Sequence, residues 1–586
     1  MAQIESTQPL TTTRGRLDAI TIMLATATWA LLAAFAWLFQ PGEPQWWVDG
    51  LWLGAVVVWV VVVRRLVSPP ALLPAWPRPR AALLPGALLL LFAACWLPFY
   101  DNWRWAYTGD SIAWFQTAAG TVTDGFHQNL LSVHGVDANF TYLHSLAFNA
   151  LLFVFGPTLF WHRVGKLIVS CLSLAAIYTY FTMTIGRRWA LAVLTCVATN
   201  YVWLWFSYIS YGHMDTYIFY FLTLALATVI WRHPDHLGAW MMCGLVGGLS
   251  VFFTQTSWSA VAVVGLVLGV YALATRRLSA IAIYAVTFLV VASPILIQFP
   301  GLLDMTTRQA RSIYEWNYLL RIFTLILRFP YDSGYHNIGV NHAVLRWPLG
   351  EMYFAGAGVA AVGIIGPLRR RLRIPAIAPL LLGLLLWDAV LMTLTNNGYG
   401  LPSTKRAFSL IPLQVFLALL PAFVAYAWVE RWRWPRRVVG LLLVGAIGMY
   451  ISRNVLLLVY PEPGIYGVNA YDGLIELRQR FPDKQVLFLT TRDWYTQPLQ
   501  EGGFFDRAYH LLDTVHLAAE VDEAAVQRAC KRHLLLCYEP NSDREGFQPL
   551  LERNRERLKP FPLLNSVELA CYQCLPAPAR PGPSQG

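Results

Sequence analysis

Asp110 is the first residue whose type and position suggest chemistry. It stands in the segment Tyr107-Thr-Gly-Asp110-Ser-Ile-Ala-Trp114, shortly after an apolar run that ends near Leu97. A carboxylate at the end of an apolar run can accept a proton from an attacking hydroxyl group, which is general-base catalysis. It can also cap a helix that starts at Ser111, because Asp is a preferred N-cap residue. The local pattern by itself favours the cap.

Other polar side chains stand at, within or between the apolar runs. Asp215 begins one run, where an acid is costly and often functional, although it can equally cap that helix. Asp388 lies deeper within another run and is expected to pair with a neighbouring helix. Between two runs, Tyr335 and His336 belong to a polar and aromatic cluster that suits either sugar stacking or a divalent metal. His336 and His342 are not spaced as a metal-binding motif, so a metal stays one of two possibilities.

The composition indicates what surrounds these residues. Of the 586 residues, 56% are hydrophobic and only 13% are charged, whereas an ordinary soluble domain carries roughly 25% charged residues. The apolar residues form long runs such as Leu51 to Val63. Runs of about 20 residues can cross a bilayer as helices, which satisfy their own backbone hydrogen bonds in lipid. The sequence therefore predicts an all-α polytopic membrane domain.

The net charge of +11 does not indicate a nucleic-acid partner, because the arginines and lysines cluster in short loops between the apolar runs. Such basic loops face the cytoplasm in most membrane proteins. About thirteen spanning helices satisfy all of these loops, with a cytoplasmic N-terminus and the C-terminus outside a plasma (inner) membrane. They are predicted at 17–40, 46–63, 81–99, 164–186, 189–207, 214–231, 238–254, 257–275, 279–298, 349–367, 375–395, 407–428 and 438–458.

The apolar stretch from Leu143 to Trp161 is long enough to be a further span. Counting it as one would place Arg187, Arg188 and every later basic loop outside, against the charge rule. We therefore expect a re-entrant or interfacial helix on the outer face, interrupted at Gly156-Pro157. The alternative is an ordinary span with an orientation error elsewhere in the chain.

The apolar runs divide the chain into two predicted domains and a tail. The membrane domain covers residues 1–459, with outer loops at 100–162 and 298–348, and a small α/β extracytoplasmic domain covers 460–575. In the second domain helical and strand patterns alternate. It contains no phosphate loop or catalytic triad motif, so recognition or stability is expected of it rather than catalysis. The Pro-rich residues 576–586 are predicted to be disordered.

Four cysteines lie in the C-terminal domain, at Cys530, Cys537, Cys571 and Cys574. An extracytoplasmic compartment favours disulfides among them. A zinc site and free thiols are the alternatives, and the spacing from Cys530 to Cys537 is longer than in the usual metal knuckle.

Several short motifs follow the acidic first loop in a definite order. They are Phe155-Gly156-Pro157, His162-Arg163-Val-Gly-Lys166, Ile185-Gly186-Arg187-Arg188, Ser207-Tyr208-Ile-Ser210 leading to Asp215, the span Gly244–Gly248 with Thr254-Gln255-Thr256, and Thr404-Lys405-Arg406-Ala-Phe-Ser-Leu-Ile-Pro412. In this order, from about Trp105 to Pro412, the chain resembles the GT-C glycosyltransferases. The resemblance is to the dolichyl-phosphate-mannose protein mannosyltransferase and aminoarabinose transferase group in particular.

The resemblance implies a membrane glycosyltransferase that moves a sugar from a polyprenyl-phosphate donor to a lipid, glycan or protein acceptor on the extracytoplasmic face. Asp110 is the implied general base, and it acts alone because Ser111 replaces the second acid of the family's pair. The family's later acid, which precedes a Lys-Pro-Pro motif, is matched by Asp137 without the lysine and prolines. Neither the sugar, the acceptor nor a metal requirement follows from these motifs.

A polyprenyl-phosphate leaving group needs cations that are held in a low-dielectric site. Lys405 and Arg406 are the first candidates, and Arg163 and Lys166 are the second. Lys405 and Arg406 can instead be interfacial anchors, because Lys and Arg extend their charged ends from helix termini to water. The other implied substrate-binding residues are Asp137, Asp215, Arg311, Tyr335 and His336.

Two other functions are compatible with the sequence. An outer-face glycan polymerase or ligase also has many spans, but it would use a pyrophosphate-linked oligosaccharide. A non-enzymatic transporter is expected to have internal repeats and Gly/Pro-broken helices at matching positions, and neither is evident in the sequence.

Overall fold

The computed structural model describes residues 18–40, 44–67, 79–96, 109–133, 141–157, 159–208, 212–253, 255–309, 345–395, 410–430, 432–459, 477, 480–481, 486–489, 515–518, 523–532, 534–538, 547–562 and 570–575. Six residues with a predicted role in the site lie outside these ranges: Asp137, Arg311, Tyr335, His336, Lys405 and Arg406.

The apolar runs in the first half of the chain fold into helices. They are α1 (Ala19–Leu38), α2 (Trp46–Leu66), α3 (Pro79–Trp96), α4 (Gly109–Asp124), α5 (Tyr142–Ala147), α6 (Ala150–Phe155), α7 (Leu159–Ile185), α8 (Arg187–Ala198), α9 (Tyr201–Tyr208), α10 (Thr216–Arg232), α11 (Leu237–Ser250), α12 (Gln255–Ala274) and α13 (Leu278–Gln309). A short 3-10 helix, Gly212–Asp215, leads into α10.

Further along the described part of the membrane domain lie the helices α14 (Leu349–Val362), α15 (Gly366–Leu372), α16 (Ile377–Thr395), α17 (Ile411–Val429) and α18 (Arg433–Val459). Among the described residues, seven helices are long and apolar enough to cross a membrane, and five shorter apolar helices accompany them. Each predicted span coincides with one of these helices, except that the span 189–207 is divided between α8 and α9. The chain is therefore a multi-pass, all-α membrane protein in this part.

The stretch from Leu143 to Trp161 does not form a spanning helix, as the charge rule predicted. It folds into α5 and α6, which have six residues each, far fewer than the roughly 20 that a crossing needs. Gly156, in a left-handed conformation at φ 92°, ends α6. The helix of the following span begins at Leu159, several residues before the predicted start.

The division between α8 and α9 corrects the prediction of one continuous span. The Asn200 amide donates a hydrogen bond to Tyr450 Oη at 2.7 Å, and its carbonyl oxygen accepts one from the Trp203 backbone N–H at 3.0 Å. A side chain that bonds to the nearby backbone offers an alternative to an uninterrupted helix. The break is thus stabilised by a contact with α18, which sequence pattern does not reveal.

Exposed tryptophans mark both ends of the helix bundle. Trp37 is 85% exposed near the end of α1, and Trp46 is 73% exposed at the start of α2. At the opposite ends of the helices, Trp231, Trp428 and Trp434 are also exposed. Tryptophan is enriched at the two membrane–water interfaces, so these positions are typical of the boundaries of a bilayer-spanning bundle.

Glycines allow two helix pairs to approach closely. A Cβ atom at Gly248 of α11 would lie 2.7 Å from the Cβ of Val291 in α13. A Cβ at Gly356 of α14 would overlap the carbonyl oxygen of Leu417 in α17. Small residues at helix interfaces are typical of membrane proteins, where close backbone approach supplies much of the packing energy.

The segment between α4 and α5 is attached to the ends of two spanning helices. Asp49 in α2 accepts a hydrogen bond from the Leu130 backbone N–H at 3.0 Å. Gln298 in α13 donates to the Leu131 carbonyl at 2.9 Å. These two bonds hold residues 130 and 131, in the described segment that follows α4, against α2 and α13.

The C-terminal region contains a small α/β sheet, as predicted. Strands β1 (Val486–Leu489), β2 (Val515–Ala518), β3 (Leu535–Tyr538), β4 (Leu558–Phe561) and β5 (Ala570–Cys574) occur in the order β2-β1-β3-β5-β4. The first three strands are parallel, and β5 runs antiparallel to β3 and β4. Helices α19 (Glu523–Lys531) and α20 (Phe547–Arg553) accompany the sheet.

Both pairs of cysteines in this region are disulfide-bonded. Cys537 and Cys571 are directly opposite on β3 and β5, with Cα atoms 4.2 Å apart. Cys530 in α19 is joined to Cys574 at the end of β5, at a Cα separation of 4.9 Å. The prediction of at least one bridge among these four residues is confirmed.

Candidate functional site

Three charged or titratable residues share the first turns of α7. His162 and Lys166 are four residues apart and therefore lie on one face of the helix, with Arg163 beside them. His162 is completely buried, and Arg163 and Lys166 are only 3% and 1% exposed. Lys and Arg are almost never so deeply buried without partners. The charged ends of this pair therefore do not extend into water.

The turn between α5 and α6 packs directly on this face of α7. Asn149 Oδ1 forms a hydrogen bond with Nδ1 of His162. The ammonium nitrogen of Lys166 lies 5.5 Å from the centre of the Phe148 ring, a cation–π contact. The close approach requires glycine at position 165, because a Cβ there would lie 2.9 Å from the Phe148 carbonyl oxygen.

Asp215 completes the cluster from the 3-10 helix before α10. Its side chain is fully buried, and its Oδ2 lies 3.3 Å from Nε2 of His144, which is equally buried in α5. The carboxylate also acts electrostatically on Lys166. Asp215 occupies the N-cap position of α10, but its side chain forms no capping hydrogen bond to that helix. The alternative role as a helix cap is therefore wrong, and Asp215 belongs to the buried cluster.

The described residues of this cluster carry more positive than negative charge. Arg163 and Lys166 supply two cations, while Asp215 supplies one carboxylate. Burying charge in a medium of low dielectric is unfavourable unless opposite charge is supplied. Two buried cations side by side can bind an anion such as a phosphate group, with which both Arg and Lys form charge-assisted hydrogen bonds.

Helix α4, which carries Asp110, packs against the elements of this cluster. It contacts α5, α6 and the 3-10 helix that ends at Asp215. Near its C-terminal end, Thr121 forms a hydrogen bond with the hydroxyl group of Tyr142 in α5. Asp110 lies in the first turn, about 16 Å along the helix axis from Thr121. Because α4 begins at Gly109, Asp110 is not the N-cap residue of a helix starting at Ser111.

The structure therefore brings together Arg163, Lys166 and Asp215, and it places the backbone of Asp110 on a helix that adjoins them. Lys405 and Arg406 precede α17, which begins at Ile411, but they lie outside the described residues. The same is true of the remaining predicted contacts, Asp137, Arg311, Tyr335 and His336.

Two residues of the cluster were missed by the sequence analysis. His144 and Asn149 are polar positions, together with Ser145, in the largely apolar stretch that forms α5 and α6. Polar side chains within an apolar membrane segment are costly and usually have a partner or a function. That signal was present in the sequence, but it did not indicate which helix the two side chains meet.

Asp388 is separate from this cluster. Its Oδ2 accepts a hydrogen bond from Tyr220 Oη at 2.9 Å, which joins α16 to α10. It is 1% exposed, so the expectation that it pairs with a neighbouring helix is confirmed. In the described part of the chain, no group of three or more His, Cys, Asp or Glu residues is arranged to hold a metal ion.

No family model and no curated protein matches the chain. Among solved structures, ArnT of Cupriavidus metallidurans, an aminoarabinose transferase, is similar both with bound undecaprenyl phosphate and in the apo state, at TM-scores of 0.47 and 0.48. Each alignment has 15% identity and covers 83% of this chain and 98% of ArnT. The apo oligosaccharyltransferase of Archaeoglobus fulgidus is similar at a TM-score of 0.46 and 12% identity, over 80% of this chain and 71% of that one.

All three TM-scores are below 0.5, so the proposals that follow rest on the residues and contacts of this chain. ArnT and the oligosaccharyltransferase are both GT-C glycosyltransferases. This is the group that the chain resembles in the order of its sequence motifs.

Proposed function

We propose that this protein is a membrane glycosyltransferase that moves a sugar from a polyprenyl-phosphate donor to an acceptor hydroxyl group on the extracytoplasmic face. The observation that carries the proposal is that Arg163 and Lys166 are both buried in the first turns of α7, beside the buried Asp215. A phosphate diester carries one negative charge and gains a second as it leaves, so cations held in a buried site stabilise departure of the lipid phosphate.

In the proposed reaction, the acceptor oxygen attacks the anomeric carbon of the sugar and forms the new glycosidic bond. The bond between that carbon and the phosphate oxygen breaks, and its electron pair stays on the lipid phosphate. Asp110 takes the proton of the acceptor hydroxyl group as general base. Attack opposite the leaving group inverts the configuration of the anomeric carbon.

Four cations are proposed to bind the phosphate of the donor and to stabilise that phosphate as it leaves. Arg163 and Lys166 meet the phosphate from α7, and Lys405 and Arg406 are proposed to meet it from the segment before α17. Such charges act in the ground state and more strongly in the transition state, where the phosphate becomes more negative. Residues proposed to contact the sugar or the acceptor are Asp137, Asp215, Arg311, Tyr335 and His336.

The proposed location follows from the distribution of basic loops. The membrane domain, residues 1–459, crosses the plasma (inner) membrane with its N-terminus in the cytoplasm. Residues 460–575 form an extracytoplasmic domain, followed by the tail 576–586. This orientation puts the first outer loop and the cation cluster on the same side as the acceptor.

The proposal is tested by mass spectrometry of the lipids that co-purify with the protein in mild detergent. We expect a polyprenyl phosphate or its monosaccharide ester, depleted in the double variant Arg163→Gln/Lys166→Met. The purified protein should then release polyprenyl phosphate from a polyprenyl-phosphate hexose when an acceptor lipid extract is added. Recovery of a pyrophosphate-linked oligosaccharide instead would indicate the polymerase or ligase. Ion-coupled uptake into proteoliposomes without lipid turnover would indicate a transporter.

A further inference from the structure

The ammonium group of Lys166 lies over the face of an aromatic ring. Its nitrogen is 5.5 Å from the centre of the Phe148 ring, within the roughly 6 Å over which a cation and a ring face attract each other. Lys166 is only 1% exposed, so little water competes with the ring for the charge. A cation–π contact is strongest under these conditions, because the ring then acts on a desolvated cation.

The surroundings of Phe148 limit the movement of its ring. The rings of His144 and Phe253 pack against it, at centroid distances of 5.3 and 5.2 Å. The backbone of Phe148 also approaches α7 closely, because a Cβ added at Gly165 would lie 2.9 Å from the Phe148 carbonyl oxygen. The ring therefore has little freedom to turn away from the ammonium group.

A phenylalanine ring stabilises a buried ammonium group differently from a carboxylate. A carboxylate cancels the positive charge of its partner, whereas the ring has no net charge and attracts the cation through its quadrupole. An anion that approaches Lys166 from another direction still meets that positive charge. The contact with Phe148 thus stabilises the charged form of Lys166 and leaves its charge available to a ligand.

We propose that Phe148 is a positioning residue whose ring face holds Lys166 charged and in place to bind the phosphate of a polyprenyl-phosphate ligand. The inference rests on the proposed function and adds a residue to it. It assigns Phe148 no contact with the sugar, the lipid chain or the reacting atoms.

The inference gives the effect of the ring on ligand affinity a definite sign. Without the ring face the buried charge is less stable, so a larger fraction of the protein holds Lys166 uncharged or displaced from the site. The apparent affinity for an anion falls in proportion to the fraction that stays competent to bind. A weaker ring quadrupole should therefore weaken binding of the phosphate.

The test changes the electronic character of the ring at nearly constant size. Phe148 is replaced in the full-length protein by phenylalanines that carry one, two or three fluorine atoms, which withdraw electron density from the ring face step by step. Phe148→Leu removes the ring and keeps an apolar side chain. The proteins are purified in detergent, and binding of undecaprenyl phosphate is measured by native mass spectrometry, together with KM for the sugar donor.

We expect Phe148→Leu to weaken binding of undecaprenyl phosphate about 3-fold to 30-fold, the range for a cation–π contact between an exposed and a desolvated site. Along the fluorinated series the dissociation constant should rise with each added fluorine and stay below that of Phe148→Leu. The KM for the sugar donor should rise in the same order.

The matched control is trifluorophenylalanine at position 219. The Phe219 ring stacks on that of Phe253 at a centroid distance of 4.6 Å, so the control places the same fluorine atoms in the same group of packed rings. It should leave the dissociation constant within about twofold of the wild type, because it does not weaken the ring face over Lys166.

The outcomes separate the inference from the proposed function. Equal dissociation constants along the fluorinated series would overturn the inference, because the ring would then act by packing alone. Tighter binding with added fluorine would also overturn it and would indicate that the ring contacts the lipid chain. Failure of the wild-type protein to bind undecaprenyl phosphate would contradict the proposed function and the inference together.

Discussion

Arg163 and Lys166 are the two described cations of the proposed phosphate site. Both are almost completely buried at the start of α7, where the ammonium group of Lys166 lies over the ring of Phe148. A cation in a buried site interacts strongly with a bound anion, because little water screens its charge. Changes at these residues should therefore appear first in ligand affinity.

Replacement of Lys166 by methionine tests whether the charge of this one residue contributes to ligand affinity. Methionine keeps the length and apolar volume of the side chain and removes the charge. We expect KM for the sugar donor to rise at least tenfold and kcat to fall as well, because the phosphate charge grows during the reaction. The measurement is steady-state transfer from a polyprenyl-phosphate hexose.

The control is Lys559→Met, which removes one charge from an exposed position in β4. It should leave both constants unchanged. Lys405→Ala and Arg406→Ala are expected to behave as Lys166→Met does. A Lys166→Met protein with wild-type KM would show that the phosphate is bound elsewhere.

Asp110→Asn tests the general base. As a base, Asp110 should contribute a factor of about 10²–10⁴ to the rate, so the variant should lose most turnover and retain binding of undecaprenyl phosphate. A role limited to the first turn of α4 predicts something different. Loss of one charge at a helix N-terminus changes stability by only about 0.3–1 kcal/mol. Near-normal transfer by the correctly inserted variant would defeat the proposed mechanism.

At the scale of the elements, the turn between α5 and α6 positions the side chains of the buried cluster. It places Phe148 and Asn149 on α7, while α5 presents His144 to Asp215 at 3.3 Å. One straight spanning helix could not bring these side chains to the same cluster. Two short helices can, because the turn between α5 and α6 lets side chains from both helices reach it. The close helix pairs elsewhere in the bundle keep this geometry from shifting.

The pair α14 and α17 offers a matched test of close packing. Gly356→Ala should lower the midpoint of thermal unfolding in detergent, because the added methyl group overlaps the Leu417 carbonyl oxygen. The expected penalty is that of an overpacked interior, about 1–3 kcal/mol. Gly358→Ala, two residues away on the same helix with open space at the Cβ position, should not lower it. Equal midpoints for the two variants would contradict the close approach of these helices.

The disulfides of the C-terminal sheet are tested by alkylation of the unfolded, non-reduced protein followed by peptide mapping. Cys530, Cys537, Cys571 and Cys574 should stay unmodified, because each is paired. Cys171, Cys196 and Cys243 are free and serve as internal controls that must react. Alkylation of all four C-terminal cysteines would disprove the bridges, and with them the inference of an oxidising compartment.

At the scale of the whole molecule, the exposed tryptophans at the helix ends and the basic loops both support the orientation that we propose. Trp37 and Trp46 lie at the helix ends that carry no basic loop, while Trp428 and Trp434 lie at the ends where arginines cluster. The belts indicate where the membrane boundaries are, and the charges indicate which boundary faces the cytoplasm. The cation cluster lies at the start of α7, the end opposite Arg187.

This orientation predicts the accessibility of cysteines introduced one at a time. Positions near Gly120, Asn337 and Asn541 should react with an impermeant thiol reagent in intact cells. Positions near Pro69 and Pro435 should react only after the membrane is permeabilised. Labelling near Pro69 in intact cells would reverse the orientation and remove Asp110 from the outer face, because α3 connects the two segments.

The sequence by itself determined the apolar spans, the interruption at Gly156 and the alternation of helices and strands after the membrane domain. These are local properties. In lipid, each segment must satisfy its own backbone hydrogen bonds, so length and hydropathy suffice to identify a helix. The possibility of a bridge between Cys537 and Cys571 was likewise readable, because strand periodicity limits which residues can be opposite.

Only the tertiary structure decided which polar residues meet. Asp110 and Asp215 were recognised as acids, but the structure was needed to exclude their alternative roles as helix caps. For Asp110 the start of α4 at Gly109 excludes it, and for Asp215 the absence of a capping hydrogen bond from its side chain does. His144 and Asn149 became part of a site because a turn places them on α7, and the break at Asn200 depends on Tyr450 in α18. These contacts join distant parts of the chain. They depend on which helix faces pack together, and hydropathy averaged along a helix carries no information about that choice.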